Sequence, residues 1–149
     1  MDRRAFLLGT LAGSVLAAPI AAAAQQVGIG SSEWPPGPKG LGPGVSMLVV
    51  NRHPHTLHVR YPAGHTVGPH RHISGEDVTV LSGTLLIGWG EVWDPTKFKA
   101  VRAGENVVVP PGVVHFSAVR EETVMEVKIL GPYSIEYILD ADDPRPEKR

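Results

Sequence analysis

The chain has 149 residues, of which 42% are hydrophobic and 19% charged, a composition typical of one ordinary globular domain. Its formal net charge of -1, with no long run of lysine or arginine, argues against nucleic-acid binding. The chain has no cysteine, which excludes disulfides, thiolate nucleophiles and thiolate metal sites. Any metal ion would therefore have to be bound by nitrogen and oxygen atoms.

Residues 1–24 have the pattern of an export signal. A charged start with Arg3 and Arg4 precedes an apolar run over residues 5–20, and an alanine-rich end at residues 21–24 offers a small-x-small cleavage site. The Phe-Leu pair that follows the arginines favours the twin-arginine route, which carries folded proteins. A retained membrane anchor is the alternative, although glycines and a proline interrupt the run. We expect a periplasmic or secreted bacterial protein with no stable membrane association after cleavage.

The mature chain is predicted to begin with an arm at residues 25–44. Six glycines and four prolines between residues 28 and 44 exclude a regular helix or a central strand there. The charged tail at residues 140–149 contains two prolines, and we expect it to lie on the surface or to fray.

The segment between arm and tail is predicted to be all-β. Short runs rich in β-branched and aromatic residues alternate with turn residues, which indicates eight strands at 45–50, 56–61, 77–81, 84–89, 105–109, 113–119, 123–130 and 135–139. The only helical candidate after the signal is a turn at residues 94–98. The pattern is compatible with a sandwich, an up-and-down barrel or a jelly roll.

Alternation along the strands predicts which side chains face the core. In the second predicted strand the apolar side chains should face the core, namely Leu57, Val59 and Tyr61. The polar side chains between them should face solvent, namely Thr56, His58 and Arg60. Ser117 shares a face with His115, which would allow contact with a substrate, but a neutral surface residue is the favoured interpretation.

Two histidines, His70 and His72, lie two residues apart in an extended segment, so their side chains leave the same face and can bind one ion. Such a pair is a weak signal by itself, because the chain has seven histidines and a second pair at His53 and His55. We interpret the second pair as a coincidence of composition.

The first pair stands within a longer frame of fixed spacing, and a second frame follows it. The first frame consists of Gly64, five residues, His70, one residue, His72, three residues, Glu76, six residues and Gly83. The second consists of Gly104, five residues, Pro110, one residue, Gly112, two residues and His115.

These two frames resemble the two motifs of the cupin family, and the resemblance spans residues 45–139. It implies a small single-domain jelly-roll β-barrel. It also implies four metal ligands, which on this sequence are His70, His72, Glu76 and His115. The second motif of the family ends in an asparagine, where this chain has Val119. That asparagine is not a metal ligand, so the departure leaves the implied site intact.

Three neutral imidazoles and one carboxylate suit one divalent transition metal, whereas calcium would require more oxygen ligands. Manganese or iron is favoured, because folding before export would allow loading in the cytoplasm; nickel, cobalt, copper and zinc also suit the ligands. Four protein ligands leave one or two coordination positions open, which indicates chemistry rather than a purely structural ion.

The leading functional hypothesis is a metal-dependent enzyme that acts on a small oxygen-rich molecule, by dioxygenase-like oxidation or by a redox-neutral lyase or isomerase reaction. The alternative is a non-catalytic periplasmic protein that binds a small ligand or a metal. The expected partners are a small-molecule substrate and, by resemblance to cupins, a second copy in a homodimer, with no nucleic acid.

Overall fold

A computed structural model describes residues 34–146 of the chain. This part folds into ten strands: β1 Ser46–Arg52, β2 His55–Tyr61, β3 Thr66–Arg71, β4 Glu76–Ser82, β5 Thr84–Trp89, β6 Lys99–Arg102, β7 Asn106–Val109, β8 His115–Ala118, β9 Thr123–Ile129 and β10 Glu136–Tyr137. Three short 3-10 helices lie at Lys39–Leu41, Pro95–Lys97 and Asp140–Asp142. The predicted all-β class is confirmed, and so is the predicted turn at residues 94–98. No helix within the described range is long and apolar enough to cross a membrane.

The strands form two antiparallel five-stranded sheets. The first sheet has the order β1-β2-β9-β4-β7, and the second has the order β10-β3-β8-β5-β6. Strands that are distant in sequence pair within each sheet, as β2 does with β9 and β3 with β8. This arrangement is a jelly roll, as the motifs implied. The core lies between the sheets, where alternating apolar side chains from both inner faces meet.

Two glycines of the first motif occupy backbone conformations that disfavour a side chain. Gly64, between β2 and β3, has φ +79°, and Gly83, between β4 and β5, has φ +76°. A Cβ on Gly83 would also lie 2.5 Å from the Thr123 hydroxyl oxygen on β9. The fixed spacing in the sequence therefore marks the places where the chain must turn tightly between sheets.

The structure has ten strands rather than the eight that we predicted. The two additional strands are β3, which carries His70, and β6. β3 contains Gly68 and Pro69, both of which disfavour a strand, and β6 is a short edge strand with a basic residue at each end. Pairing with the neighbours β8 and β5 holds both segments in place, and this pairing is long-range information that local composition lacks.

The prediction for the outer face of β2 was wrong. The inner set of this strand is buried as predicted, but Thr56 is 6% exposed and His58 is 1% exposed. Trp34, from the predicted arm, covers this face: its ring lies 6.0 Å from the His58 ring, and the Arg60 guanidinium carbon lies 4.5 Å from its centroid. His58 Nε2 also lies 3.3 Å from a carboxylate oxygen of Glu126. The polar face of β2 is therefore buried because the segment that contains Trp34 packs over it.

The described part of the C-terminal tail packs against the barrel. Asp143 is 2% exposed and binds the Arg145 guanidinium through both carboxylate oxygens, at 2.7 and 2.5 Å. Arg145 also donates to the backbone carbonyl of Ile135. Our expectation of a surface or fraying tail therefore fails at Asp143, where an ion pair compensates for burial of the carboxylate.

Candidate metal centre

Two histidines that are close in sequence, His70 and His72, meet the distant His115 in the folded barrel. His70 on β3 lies directly opposite His115 at the start of β8, and His72 follows the last residue of β3. All three side chains are buried, and one nitrogen from each ring lies within 4.8 Å of the other two. Strand pairing thus brings the third histidine to the pair that the sequence placed on one face.

Each of the three rings is held by a backbone carbonyl. His70 Nδ1 lies 2.7 Å from the carbonyl oxygen of Gly68, and His115 Nδ1 lies 3.1 Å from that of Val113. His72 Nδ1 contacts the carbonyl oxygen of Ser134. A carbonyl oxygen only accepts hydrogen bonds, so each Nδ1 must be the protonated donor. This fixes the tautomer and leaves the Nε2 lone pair of each ring free to bind a metal ion.

Burial keeps two of these imidazoles neutral at ordinary pH. Desolvation, reinforced by the neighbouring histidines, lowers the pKa of His70 to about 2. Desolvation also lowers the pKa of His115 to about 4, against the opposing effect of its bond to the Val113 carbonyl. Neutral imidazole is the form that binds metals, so acid does not compete for these two nitrogens near neutral pH.

Glu76, the fourth predicted ligand, stands beside this histidine cluster at the start of β4. Its Oε2 lies 3.4 Å from His72 Nε2, and its side chain is 12% exposed. Burial raises the pKa of the Glu76 carboxyl, while His72 opposes that shift. The tight group comprises the three imidazoles alone, so Glu76 as a metal ligand remains a prediction.

The cluster lies in a cavity of about 60 Å³ between the two sheets. Of the eighteen described residues that line it, eleven are aliphatic or methionine and seven carry polar side chains: Tyr61, His70, His72, Glu76, His115, Ser117 and Tyr133. The walls include Leu41 from the arm and Met47 from β1. The cavity therefore combines a compact polar site with apolar walls.

Three of the polar lining residues were absent from our predicted site. Ser117 is 6% exposed and faces the cavity, so the prediction of a surface residue was wrong although its shared face with His115 had indicated the correct direction. Tyr61 was predicted to face the core and does. Tyr133 lies in the segment between β9 and β10, where the sequence has no pattern that would identify it. Burial, together with the charge of Glu76, raises the pKa of Tyr133 to about 12.

The donor set fits a transition-metal ion. Three imidazoles with fixed tautomers, their metal-binding nitrogens converging, form a nitrogen-rich site, and a carboxylate stands next to it. The hydrogen bonds from Nδ1 to carbonyls are the outer contacts that orient histidine ligands in metalloproteins. The cluster can hold one ion, whose identity this ligand chemistry does not select.

Comparison with models of protein families gives one match. The model described as the ChrR cupin-like domain matches residues 23–134. The chain belongs to this cupin family. The two motif frames had indicated the superfamily, and the jelly roll and the histidine cluster agree with it. No curated protein sequence matches this cupin.

Solved structures with a similar fold include a polyketide cyclase, an oxalate oxidase and KdgF. The polyketide cyclase RemF from Streptomyces resistomycificus is 16% identical with a TM-score of 0.56, over 71% of this cupin and 82% of that chain. A recombinant oxalate oxidase in complex with glycolate is 25% identical with a TM-score of 0.52, over 74% of this cupin. This cupin spans 63% of the oxalate oxidase chain. KdgF from Halomonas sp. is 18% identical with a TM-score of 0.51, over 62% of this cupin and 85% of that chain.

Proposed function

We propose that this cupin is a metal-dependent enzyme that acts on a small oxygen-rich molecule inside the barrel. One observation carries the proposal: three imidazoles, each held by a backbone carbonyl, converge at the polar site of an otherwise apolar cavity. A purely structural ion needs neither a cavity nor open coordination positions. Three or four protein ligands on an ion that prefers five or six leave room for a bound substrate.

The protein's own groups would orient and isolate the substrate. When bound, the ion supplies Lewis-acid chemistry, and a redox-active ion also supplies electron transfer. The aliphatic walls exclude water, which strengthens electrostatic interactions at the site. The hydroxyl groups of Tyr61, Ser117 and Tyr133 line the same cavity and can donate hydrogen bonds to substrate oxygens.

Dioxygenase-like oxidation is the favoured reaction, and a redox-neutral lyase or isomerase reaction is the variant. The likeness to an oxalate oxidase whose structure contains glycolate supports oxidation of a small oxygen-rich molecule. Oxygen uptake separates the two, because oxidation consumes O₂ and the neutral reaction does not.

Export, metal loading and assembly are part of the proposal. The signal pattern at residues 1–24, which lies outside the described residues, supports periplasmic or secreted localisation through the twin-arginine route. Folding before export supports manganese or iron, since a site filled outside the cytoplasm would tend towards copper or zinc. A homodimer is proposed from the resemblance to cupins.

Metal analysis of protein purified from its native export route tests the proposal. Wild type and His55→Ala should carry about one divalent ion per chain, and His70→Ala should carry less than about a tenth of that. Oxygen uptake should then be measured on a panel of enediols and catechols, with His70→Ala as the inactive control. Equal metal content in wild type and His70→Ala would contradict the proposal.

Two further results would change the proposed metal or the proposed function. Mainly copper or zinc in the natively exported protein would overturn the choice of manganese or iron. Stoichiometric binding of small chelates with no product across the panel would favour the alternative, a non-catalytic binding protein.

A further inference from the structure

The cavity walls restrict which oxygen-rich molecules can bind. Among the described residues that line the cavity there is no lysine and no arginine. Glu76 is the only acidic residue among the described lining residues, and the remaining polar groups are three imidazoles, two phenols and one hydroxyl. The cavity thus offers a substrate neutral hydrogen-bond donors and no cation of its own.

Arg145 does not line the cavity, but its charge acts on the lining residue Tyr133, which is 37% exposed. The guanidinium, however, already binds both carboxylate oxygens of Asp143 and contacts the Ile135 carbonyl. Asp143 is buried and compensates this charge. Arg145 is therefore committed to the fold and does not supply a substrate-binding charge.

Charge and shape then point to one class of substrate. A divalent ion beside one carboxylate leaves a net charge of about one positive unit, since imidazole ligands are neutral. A singly charged chelate neutralises that charge, whereas a dicarboxylate leaves an uncompensated negative charge among aliphatic walls, which is costly. Walls such as Leu57, Leu85 and Val127 also reward an apolar substrate body.

The volume of the cavity limits the size of the substrate. A buried water needs roughly 10–15 Å³ of such space. A cavity of about 60 Å³ therefore accommodates a compact molecule with the volume of about four to six waters. A small ring or a short branched chain meets this limit.

We propose that the substrate is a compact, singly charged oxygen chelate with an apolar body, such as a monodeprotonated catechol or a hydroxy-carbonyl enolate, and not a dicarboxylate such as oxalate. This inference rests on the proposed function, because the chelating atoms require the ion. It separates this cupin in substrate class from the oxalate oxidase that it resembles in fold.

Two bidentate oxygen chelates of different charge test the inference. Maltol binds metals as a singly charged ring, and oxalate binds them as a dianion. Their dissociation constants should be measured by calorimetry on wild-type protein loaded with Mn²⁺, with metal content determined on the same sample. Met47, which lines the cavity and is partly buried, provides the discriminating site because lysine has a similar unbranched shape.

In Met47→Lys, the ratio of oxalate affinity to maltol affinity should rise at least about tenfold over wild type, because the new ammonium compensates the second charge. In the control Met47→Leu the ratio should stay within about twofold of wild type. Comparing this ratio between each variant and wild type cancels the intrinsic difference between the two chelates in binding the ion.

The outcomes separate the two proposals. A protein that takes up no divalent ion overturns both. A loaded protein in which wild type binds oxalate at least as tightly as maltol, with no change of the ratio in Met47→Lys, overturns the substrate class and leaves the metal enzyme standing. Maltol bound more tightly, with the ratio shifted by lysine alone, supports the inference.

Discussion

The chain contains two His-x-His pairs with the same spacing, and only one of them forms a candidate metal site. His70 and His72 are buried, each has its Nδ1 bound to a backbone carbonyl, and His115 joins them across β3 and β8. His53 and His55 lie around the turn between β1 and β2, where His53 is exposed and His55 is partly exposed. No third metal-binding residue joins this second pair among residues 34–146.

The difference shows what a metal site requires beyond spacing. A two-residue spacing places two rings on one face, but an ion needs a third donor and fixed ring orientations. At the first pair, strand pairing supplies the donor and the carbonyls supply the orientation. The His53 segment instead satisfies its backbone locally, through two hydrogen bonds with Asn51.

Removing each pair in turn gives the largest expected difference. The double variant His70→Ala/His72→Ala should lose at least about a hundredfold in metal affinity, because two of the three imidazoles are gone. The matched variant His53→Ala/His55→Ala should keep wild-type affinity. Competition with a metal-sensitive dye measures both constants, and equal losses in the two variants would break the comparison.

Acid should destabilise the metal-free protein through the buried His115. His115 has a folded pKa of about 4, below its ordinary value of 6.5, so between these pH values the unfolded chain binds the proton that the folded chain does not. Stability should therefore rise with pH across this window and fall as pH drops, by on the order of 3 kcal/mol from this group.

Urea unfolding after chelator treatment, at several pH values from 4 to 7, measures this slope. In His115→Ala the slope should decrease while the contribution of His70, whose pKa is also lowered, remains; in His53→Ala the slope should be retained. An unchanged slope in His115→Ala would show that the buried ring does not control the acid response.

Glu76→Gln should separate the carboxylate's effect on the metal from its effect on folding. Metal affinity should fall about ten- to a hundredfold if the carboxylate is a ligand, since the amide is uncharged. The metal-free protein should gain stability at neutral pH, because burial raises the pKa of the Glu76 carboxyl and its ionised form weakens folding above pH 4.5. Calorimetric titration with Mn²⁺ and thermal melts measure the two effects, and retained affinity would remove Glu76 from the ligand set.

The smallest expected effect concerns the carbonyl that orients His70. A Cβ on Gly68 would lie 2.8 Å from Asp142 Cβ, so Gly68→Ala should displace the Gly68 carbonyl and weaken metal binding about tenfold. Adding Asp142→Gly removes the collision and should restore affinity. Failure of the second substitution to restore it would mean that the carbonyl position is not what limits binding.

Local pattern predicted much of this protein because strands and turns depend on neighbouring residues. The inner set of β2 and the predicted helical turn at residues 94–98 followed from alternation and from turn composition. Strand β3 did not, because its glycine and proline disfavour a strand that only pairing stabilises. The outer face of β2 did not either, because Trp34, more than twenty residues away, covers His58.

The four candidate ligands and the cupin resemblance came from the sequence alone, since spacing of histidines and glycines survives without coordinates. Tertiary structure decided that His70, rather than His53, meets a third imidazole, because β3 pairs with β8. It also decided the tautomers, through carbonyls of residues that carry no signal in the sequence, and the absence of a cation from the described cavity walls. The pairing of β3 with β8 and the contact of His72 with the Ser134 carbonyl are long-range, and a chain forms them only once its sheets have closed around the core.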